Sequence, residues 1–426
     1  MDSNLTATDR TAAEISAIQH GAPARLVVLD SLRGIAALIV VIHHCFLTQA
    51  AFCEFFFSTW QTPATTFLQY MLFHTPARII WNGYEAVTLF YVLSGLVLAL
   101  PWAERRPPTY GVFAIKRICR IYLPYCAAIL IAASCNLLLI QYSNVPGASR
   151  WVTEMNWTRP ISLWTLFDHA VMYGHRNSVN GVIHSLIWEM RVSLLFPVLV
   201  LPVVWFRWKG AAGLLAALVA FVLLIQVSIA HGFGPHYALL SDMQSGGVAK
   251  IAYEIQWTAY YACFFIFGAL IAFYLPQIRS RILQLSQAGR LLVLACGLLM
   301  FQGHWSRIHS VQETVIAMSS VLLIVAAISG GVIERALLFR PLLFVGRISY
   351  SLYLVHVPII LCMVALLQSA PLWLLLSVVP PMAIFSGWLF DVAVAKPCAA
   401  LGLRLAARLR KRRAKQYNFL NTVKPG

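Results

Sequence analysis

Charged residues are scarce in this chain, and acidic ones are the scarcest. Only 11% of the 426 residues are Asp, Glu, Lys or Arg, 60% are hydrophobic, and the mean hydropathy is +0.75. This composition excludes a soluble globular domain and predicts a polytopic membrane protein. The nine cysteines form no CxxC pair and show no metal-type spacing, so they are interpreted as small core residues and no metal site is expected. Residues 1–25 lack the apolar core of about 7 to 15 residues that marks a cleavable signal peptide.

Long apolar runs account for most of the remaining sequence. Windows of about 18 to 22 mostly apolar residues predict an all-α bundle of ten transmembrane helices. Residues 62–80 are also apolar, but Pro63, Pro76 and Arg78 favour an interfacial or re-entrant segment, which leaves eleven spans as the alternative. The ten predicted spans are 34–55, 84–103, 121–142, 186–206, 211–231, 253–275, 291–306, 312–332, 349–369 and 372–394.

The distribution of basic residues gives the expected orientation. The chain has 32 Lys and Arg against 15 Asp and Glu. Most of these basic residues lie on one side if there are ten spans, which by the positive-inside rule predicts that both termini are cytosolic. We therefore expect a cytosolic tail (1–28), one membrane domain (29–396) and a basic cytosolic tail (397–426). So close to a span, this basic tail is expected to contact anionic lipid headgroups rather than nucleic acid.

The first apolar run contains an arginine and two histidines, residues that are costly in hydrocarbon and usually functional there. Arg33 and His44 are eleven positions apart, which is about 20° beyond three helical turns and about 16 Å of rise, so both project from one helix face. We expect Arg33 near a membrane surface and His44 towards the middle of the bilayer. A long anionic ligand could then contact both residues. His43 projects about 100° away and is a secondary candidate.

The loop before the third predicted span carries Lys116, Arg117 and Arg120. Three residues apart in a helix, Arg117 and Arg120 share a face. Paired guanidinium groups bind phosphate well, which fits a phosphorylated donor, although ordinary positive-inside charge is the alternative.

Two other spans carry polar residues near or within their apolar segments. Glu85 opens the second span and is either a solvated boundary charge or part of a polar stripe, while Ser94 and Gly95 are small residues that allow close helix packing. Glu189 and Arg191 lie inside the fourth span on different sides, so each needs a partner on another helix, for a structural or a catalytic purpose.

The ninth span contains Tyr350 and His356. His356 precedes Pro358, which frees a backbone carbonyl, and a hydrogen-bonded packing role is weighed for it beside a catalytic one.

Five motifs together resemble the acyltransferase-3 family of integral-membrane O-acyltransferases, over about residues 27–400. They are, in order, LDSLRGIAALIVVIHH, LFYVLSG, KRICRIYLPY, HSLIWEMRVSLLFP and GRISYSLYLVH. The resemblance implies transfer of an acyl group, often acetyl, from cytosolic acyl-CoA to a hydroxyl of a carbohydrate, a lipid-linked glycan or a small metabolite.

The family's motifs fall on particular residues of this chain. Its arginine-x10-histidine signature falls on Arg33 and His44, and its Arg-x-x-Arg pair falls on Arg117 and Arg120. The chain departs from the family in having Thr88 where an acidic residue is common. It also has His184 in place of a tryptophan and Lys396 in place of a glutamate.

Acyl transfer to a hydroxyl requires a base that works near pH 7, and a neutral imidazole meets that need. The catalytic candidates are His44, Arg33, Glu189 and His43. The donor-binding candidates are Lys116, Arg117 and Arg120, and the acceptor-binding candidates are Glu85, Ser94, Tyr350 and His356. Acyl-CoA is expected as a co-substrate, with no tightly bound cofactor. The location is expected to be the cell membrane, or the inner membrane in a bacterium.

His44 is expected to act as a general base or as an acyl relay. The alternative function is a proton-coupled transporter that uses His44, Glu189 and His356.

Overall fold

The structure is a computed structural model that describes residues 27–57, 63–139, 148–155, 157, 161–172, 179–232, 248–302, 305, 309–367 and 370–422. Helices and short connecting turns account for these residues, and no strand occurs among them. The predicted all-α class is therefore confirmed. The predicted cytosolic tail (1–28) lies almost entirely outside the described residues.

The helices are numbered in chain order. They are α1 (Val27–Leu47), α2 (Ala50–Phe57), α3 (Phe67–His74), α4 (Gly83–Ala103), α5 (Tyr110–Arg117), α6 (Leu123–Leu139), α7 (Arg150–Glu154), α8 (Leu163–Ala170), α9 (Ile183–Leu199), α10 (Leu201–Gly232), α11 (Val248–Gln284), α12 (Gln287–Phe301), α13 (His309–Ala327), α14 (Gly331–Leu337), α15 (Arg340–Leu367), α16 (Leu372–Phe390) and α17 (Lys396–Thr422). A 3-10 helix covers Pro76–Trp81, and π-helical turns join α5 to α6 (Ile118–Tyr122) and α16 to α17 (Asp391–Ala395).

Among the described residues, seven helical segments are long and apolar enough to cross a membrane. The number is eight if α13 and α14, which are bent by 95°, form one span. Each of the ten predicted windows overlaps one of the longer helices, but α9 has 17 residues and α12 has 15, which is short for a span. The chain is thus a helical membrane bundle, and ten spans stay a prediction.

The first span differs from its prediction. It was expected at 34–55, but α1 begins at Val27 and ends at Leu47. The side chain of Thr48 donates to the Cys45 carbonyl, which satisfies the helix end, and α2 then starts separately at Ala50. Hydropathy alone does not register this break. Consequently His44 lies in the last turn of α1, and its depth in the bilayer stays a prediction.

Four helices, α1, α4, α11 and α15, are the most buried spans of the bundle. At the α1–α15 crossing, a Cβ on Gly34 would lie 2.6 Å from the backbone nitrogen of Gly346. At the α4–α11 crossing, a Cβ on Gly95 would lie 2.1 Å from the Phe265 carbonyl oxygen, which confirms the packing role expected for Gly95. Only glycine allows backbones to approach this closely.

The peripheral helices present apolar side chains outwards. Only 11% of the apolar window of Leu201–Ile225 is buried in the protein, and Trp205, Trp208 and Leu224 are exposed there. Such faces are stable against lipid, because hydrocarbon solvates them as well as a protein core does.

Two segments outside the core add detail to the sequence-based expectations. The apolar stretch at 62–80 contains α3 and the 3-10 helix rather than a long helix, which agrees with an interfacial or re-entrant segment. The segment 397–426, expected as a separate tail, is helical to Thr422 and continues from the last span through the π-helical turn. Helix α17 packs against α5.

Candidate functional site

One end of the bundle gathers arginines from two separate parts of the chain. Arg33 of α1 forms an ion pair with Asp30 one turn earlier, at 3.7 Å, and its side chain is 20% exposed. Arg33, Arg117 and Arg120 interact electrostatically with one another, and Arg33 and Arg117 also interact with the carboxylate of Glu189. We call these three arginines the guanidinium cluster. Arg117 is half-buried and Arg120 is exposed.

The π-helical turn places the second and third arginines. Arg117 ends α5 and Arg120 lies inside the turn, so a π-helical rather than a regular α-helical segment separates them, and the two interact electrostatically. The hydroxyl of Tyr350 donates to the Ile121 carbonyl at 2.7 Å and holds the turn against α15. Tyr350, expected to contact the acceptor, thus has a backbone partner beside the cluster. Single π-helical turns often mark functional sites.

Glu189 and Arg191 have partners on different helices, as expected. Glu189 accepts a hydrogen bond from the hydroxyl of Ser94 on α4 at 2.9 Å. Arg191 pairs with Glu254 of α11 and also donates to the Met172 carbonyl at 2.8 Å. The Arg191–Glu254 pair therefore holds α9 against α11, whereas Glu189 lies beside the guanidinium cluster.

The opposite end of α1 carries a pair of histidines. The Nδ1 atom of His44 lies 3.1 Å from Nε2 of His356 on α15 and 2.9 Å from the Val40 carbonyl oxygen. His356 is fully buried, and its Nδ1 lies 2.9 Å from the carbonyl oxygen of Tyr353. The indole of Trp151 lies beside His44, with ring centroids 5.3 Å apart, and His44 itself is half-buried.

Polar groups lie between these two ends. The Tyr91 hydroxyl donates to the Ser185 carbonyl at 2.9 Å, and the Ser185 and Tyr353 hydroxyls are 2.7 Å apart. Tyr91 and Ser94 lie three residues apart on α4, as do Tyr353 and His356 on α15. Tyr91, Ser185 and Tyr353 thus add hydrogen-bonded polar groups on α4, α9 and α15.

His43 and Glu85 lie in a neighbouring buried cluster. His43 Nδ1 lies 2.8 Å from the Trp81 carbonyl oxygen, and its ring stacks on the Trp81 indole. The Glu85 side chain is 5% exposed and pairs with Arg78 at 3.8 Å, so the solvated-boundary interpretation of Glu85 is wrong. Burial lowers the pKa of Arg78 to about 10, and Arg78 therefore stays charged at neutral pH. Asn82 links Arg78 to the carbonyl of Phe301.

A family model described as an acyltransferase domain matches residues 26–391, nearly the whole chain. The chain belongs to the acyltransferase-3 family. Comparison with curated proteins and with solved structures found no significant match. Family membership supports an acyltransferase activity, and the apolar helices fit an integral multi-pass membrane protein.

The structure brings several of the predicted residues of this family member together and separates others. Arg33, Arg117, Arg120 and Glu189 meet at one end, whereas Lys116 lies beside Gly402 of α17 and has no contact with the cluster among the interactions described. The other candidates are placed at three further positions. Ser94 donates a hydrogen bond to Glu189. His44 and His356 are in hydrogen-bond contact with each other. His43 lies beside Trp81, and Glu85 lies beside Arg78.

Sequence reasoning did not single out three residues of this region. Arg347 is exposed on α15 and interacts electrostatically with Asp30, the partner of Arg33. Ser185 and Tyr353 join α9 to α15. Arg347 and Tyr353 flank Tyr350 at three-residue steps, and this spacing is the signal that could have identified them. Within the described residues, no group of three or more His, Cys, Asp and Glu is arranged to hold a metal ion.

Proposed function

We propose that this acyltransferase moves an acyl group, with acetyl the expected case, from acyl-CoA to a hydroxyl of a carbohydrate, a lipid-linked glycan or a small metabolite. The observation that carries the proposal is the arrangement along α1. Arg33 lies in the guanidinium cluster, and His44, on the same helix face about 16 Å further along, lies in a histidine pair. A ligand with phosphates at one end and a reactive group at the other fits this separation.

The guanidinium cluster supports acyl-CoA as the donor. Three guanidinium groups offer the planar, charged hydrogen-bond donors that bind phosphate, and two of them are placed by the π-helical turn. With both termini in the cytosol, the cluster faces the compartment that supplies acyl-CoA. The pantetheine arm then extends along α1 towards His44.

His44 supplies the chemistry at the other end. Its neutral imidazole takes the proton of the acceptor hydroxyl while the oxygen attacks the thioester carbonyl. The carbon–sulfur bond then breaks, and the thiolate of CoA leaves and receives a proton. An acyl-histidine relay is a variant in which the ring nitrogen itself attacks the thioester and later passes the acyl group to the acceptor.

The test uses the purified protein in detergent with labelled acetyl-CoA. Wild type is expected to transfer or hydrolyse the acetyl group, and His44→Ala is expected to abolish this activity. His74→Ala is the matched control, because His74 is an exposed histidine on a short helix. Thermal unfolding verifies that both variants are folded. Equal activity of wild type and His44→Ala would refute the proposal.

A proton-coupled transporter remains the second candidate, because the His44–His356 contact would also suit a proton relay. Glu189, the third residue expected in that relay, lies beside the guanidinium cluster and accepts a hydrogen bond from Ser94. Proteoliposomes loaded with a pH-sensitive dye distinguish the two functions. Acidification driven by a solute gradient, without turnover of acetyl-CoA, would favour the transporter.

A further inference from the structure

The hydrogen bonds of the His44–His356 pair indicate which ring nitrogen of each histidine carries a proton. His356 Nδ1 lies 2.9 Å from the Tyr353 carbonyl oxygen, which can only accept. That nitrogen must therefore carry the proton. In a neutral ring, Nε2 of His356 is then a lone-pair acceptor.

The same reasoning extends to His44. Its Nδ1 faces two acceptors, the Val40 carbonyl oxygen at 2.9 Å and Nε2 of His356 at 3.1 Å. An unprotonated Nδ1 would direct its lone pair at the lone pairs of both the Val40 oxygen and His356 Nε2. Nδ1 must therefore carry the proton, which it shares between these two acceptors. Nε2 of His44 is then the unprotonated nitrogen. A protonated His356 does not fit, because it would force the lone pair of His44 Nδ1 against the Val40 carbonyl.

We propose that His356 is a positioning residue that holds His44 in the tautomer with a proton on Nδ1, so that Nε2 is the atom that takes the proton of the acceptor. This inference rests on the proposed function for its chemistry, but the tautomer itself does not depend on turnover. It also changes the role expected for His356, which was acceptor binding.

The geometry indicates how His356 contributes during the reaction. When Nε2 of His44 takes a proton, the ring becomes an imidazolium whose Nδ1–H points at the His356 lone pair. A hydrogen bond to a charged donor is stronger than one to a neutral donor, so the contact stabilises the charged ring more than the neutral one. Because Val40 lies on the same helix as His44, its carbonyl fixes the ring only relative to α1. His356 ties the ring to α15.

The first experiment measures the tautomer directly, without substrate. Protein labelled with nitrogen-15 histidine gives ring-nitrogen chemical shifts, and the His44 signals are assigned by their loss in His44→Gln. We expect His44 to show a protonated Nδ1 and an unprotonated Nε2. The opposite tautomer would overturn the inference while leaving the proposed function untouched.

The second experiment compares two variants of His356 in the acetyl-CoA assay. His356→Gln keeps a side-chain oxygen near the position of Nε2, so it can accept from His44 Nδ1–H. His356→Leu has a similar volume but no acceptor. We expect kcat to fall about 10- to 100-fold in His356→Leu with KM within about twofold, and His356→Gln to recover most of the loss.

The control and the contrary results distinguish a failure of the positioning role of His356 from a failure of the proposed function. His74→Leu reports the effect of replacing a histidine away from the site, and thermal unfolding reports folding. Unchanged kcat in His356→Leu, or an equal loss in His356→Gln, would overturn the positioning role. Full activity of His44→Ala would instead refute the proposed function.

Discussion

The crossing of α1 and α15 offers the most direct test of the structure. A Cβ on Gly34 would lie 2.6 Å from the backbone nitrogen of Gly346, and a Cβ on Gly346 would lie 2.1 Å from the Asp30 carbonyl oxygen. Ordinary contacts begin at about 3.5 Å, so the helices would have to separate by roughly 1 Å for Gly34→Ala and somewhat more for Gly346→Ala. Backbone atoms cannot rotate away as a side chain can.

The expected cost follows from overpacking at a backbone contact. Gly34→Ala should lower the free energy of unfolding by about 2 kcal/mol, and Gly346→Ala by about 3 kcal/mol or more. Activity should fall as well, because the same two helices carry His44 and His356. Their 3.1 Å contact would pass the limit of a hydrogen bond if the helices moved apart by about 1 Å at that level.

The assay is thermal unfolding in detergent together with acetyl-CoA turnover. Gly213→Ala is the matched control, because a Cβ there meets nothing within 4 Å. In an exposed helix position this change should be neutral or stabilising by up to about 1 kcal/mol. If Gly346→Ala unfolds at the same temperature as Gly213→Ala and keeps full activity, the close crossing is wrong.

Three further outcomes are expected. Arg191→Leu leaves the buried carboxylate of Glu254 without its cation and should lower the free energy of unfolding by about 3 kcal/mol. The double variant with Glu254→Leu should recover most of this loss, and no recovery in thermal unfolding would contradict the pairing. Arg117→Ala and Arg120→Ala should each raise KM for acetyl-CoA about tenfold. Neither should change turnover of the acetyl thioester of N-acetylcysteamine, because that donor has no phosphate. An equal loss with both donors would argue against phosphate binding. Tyr350→Phe removes the hydroxyl that donates to the carbonyl in the π-helical turn and should cost about 1 kcal/mol, and an unchanged unfolding temperature would count against that bond.

Much of the architecture follows from the sequence because the bilayer imposes its own length scale. The ten apolar windows each overlap a helix, and five ordered motifs indicated the family that the family model shows. Helix boundaries were less predictable. At the break after Leu47 the Thr48 side chain donates to the Cys45 carbonyl, a local interaction that a hydropathy window does not detect.

In the candidate site, too, relations within one regular helix were predictable from the sequence, whereas contacts between separate segments were not. The relation between Arg33 and His44 depends on one regular helix, so spacing alone gave it correctly. The relation between Arg117 and Arg120 crosses the start of a π-helical turn, and residue spacing alone does not reveal that turn. The contact of His44 with His356 joins residues 312 positions apart, and no periodicity within one segment reports such a distance. Glu85 was left open for the same reason, since its partner Arg78 lies in a separate 3-10 helix.

The π-helical turn Ile118–Tyr122 has a consequence for changes in chain length. A π-helical turn contains one more residue than the α-helical turn it replaces. Deleting one residue there would convert the π-helical turn into an ordinary α-helical one and leave α6 in nearly the same rotation relative to α5, whereas deleting one residue from α5 or α6 would rotate the helix beyond it by about 100°. Loss of one residue should therefore disturb the packing of α6 less inside these five residues than in the regular helices on either side, although it would shift Arg120 relative to Arg117.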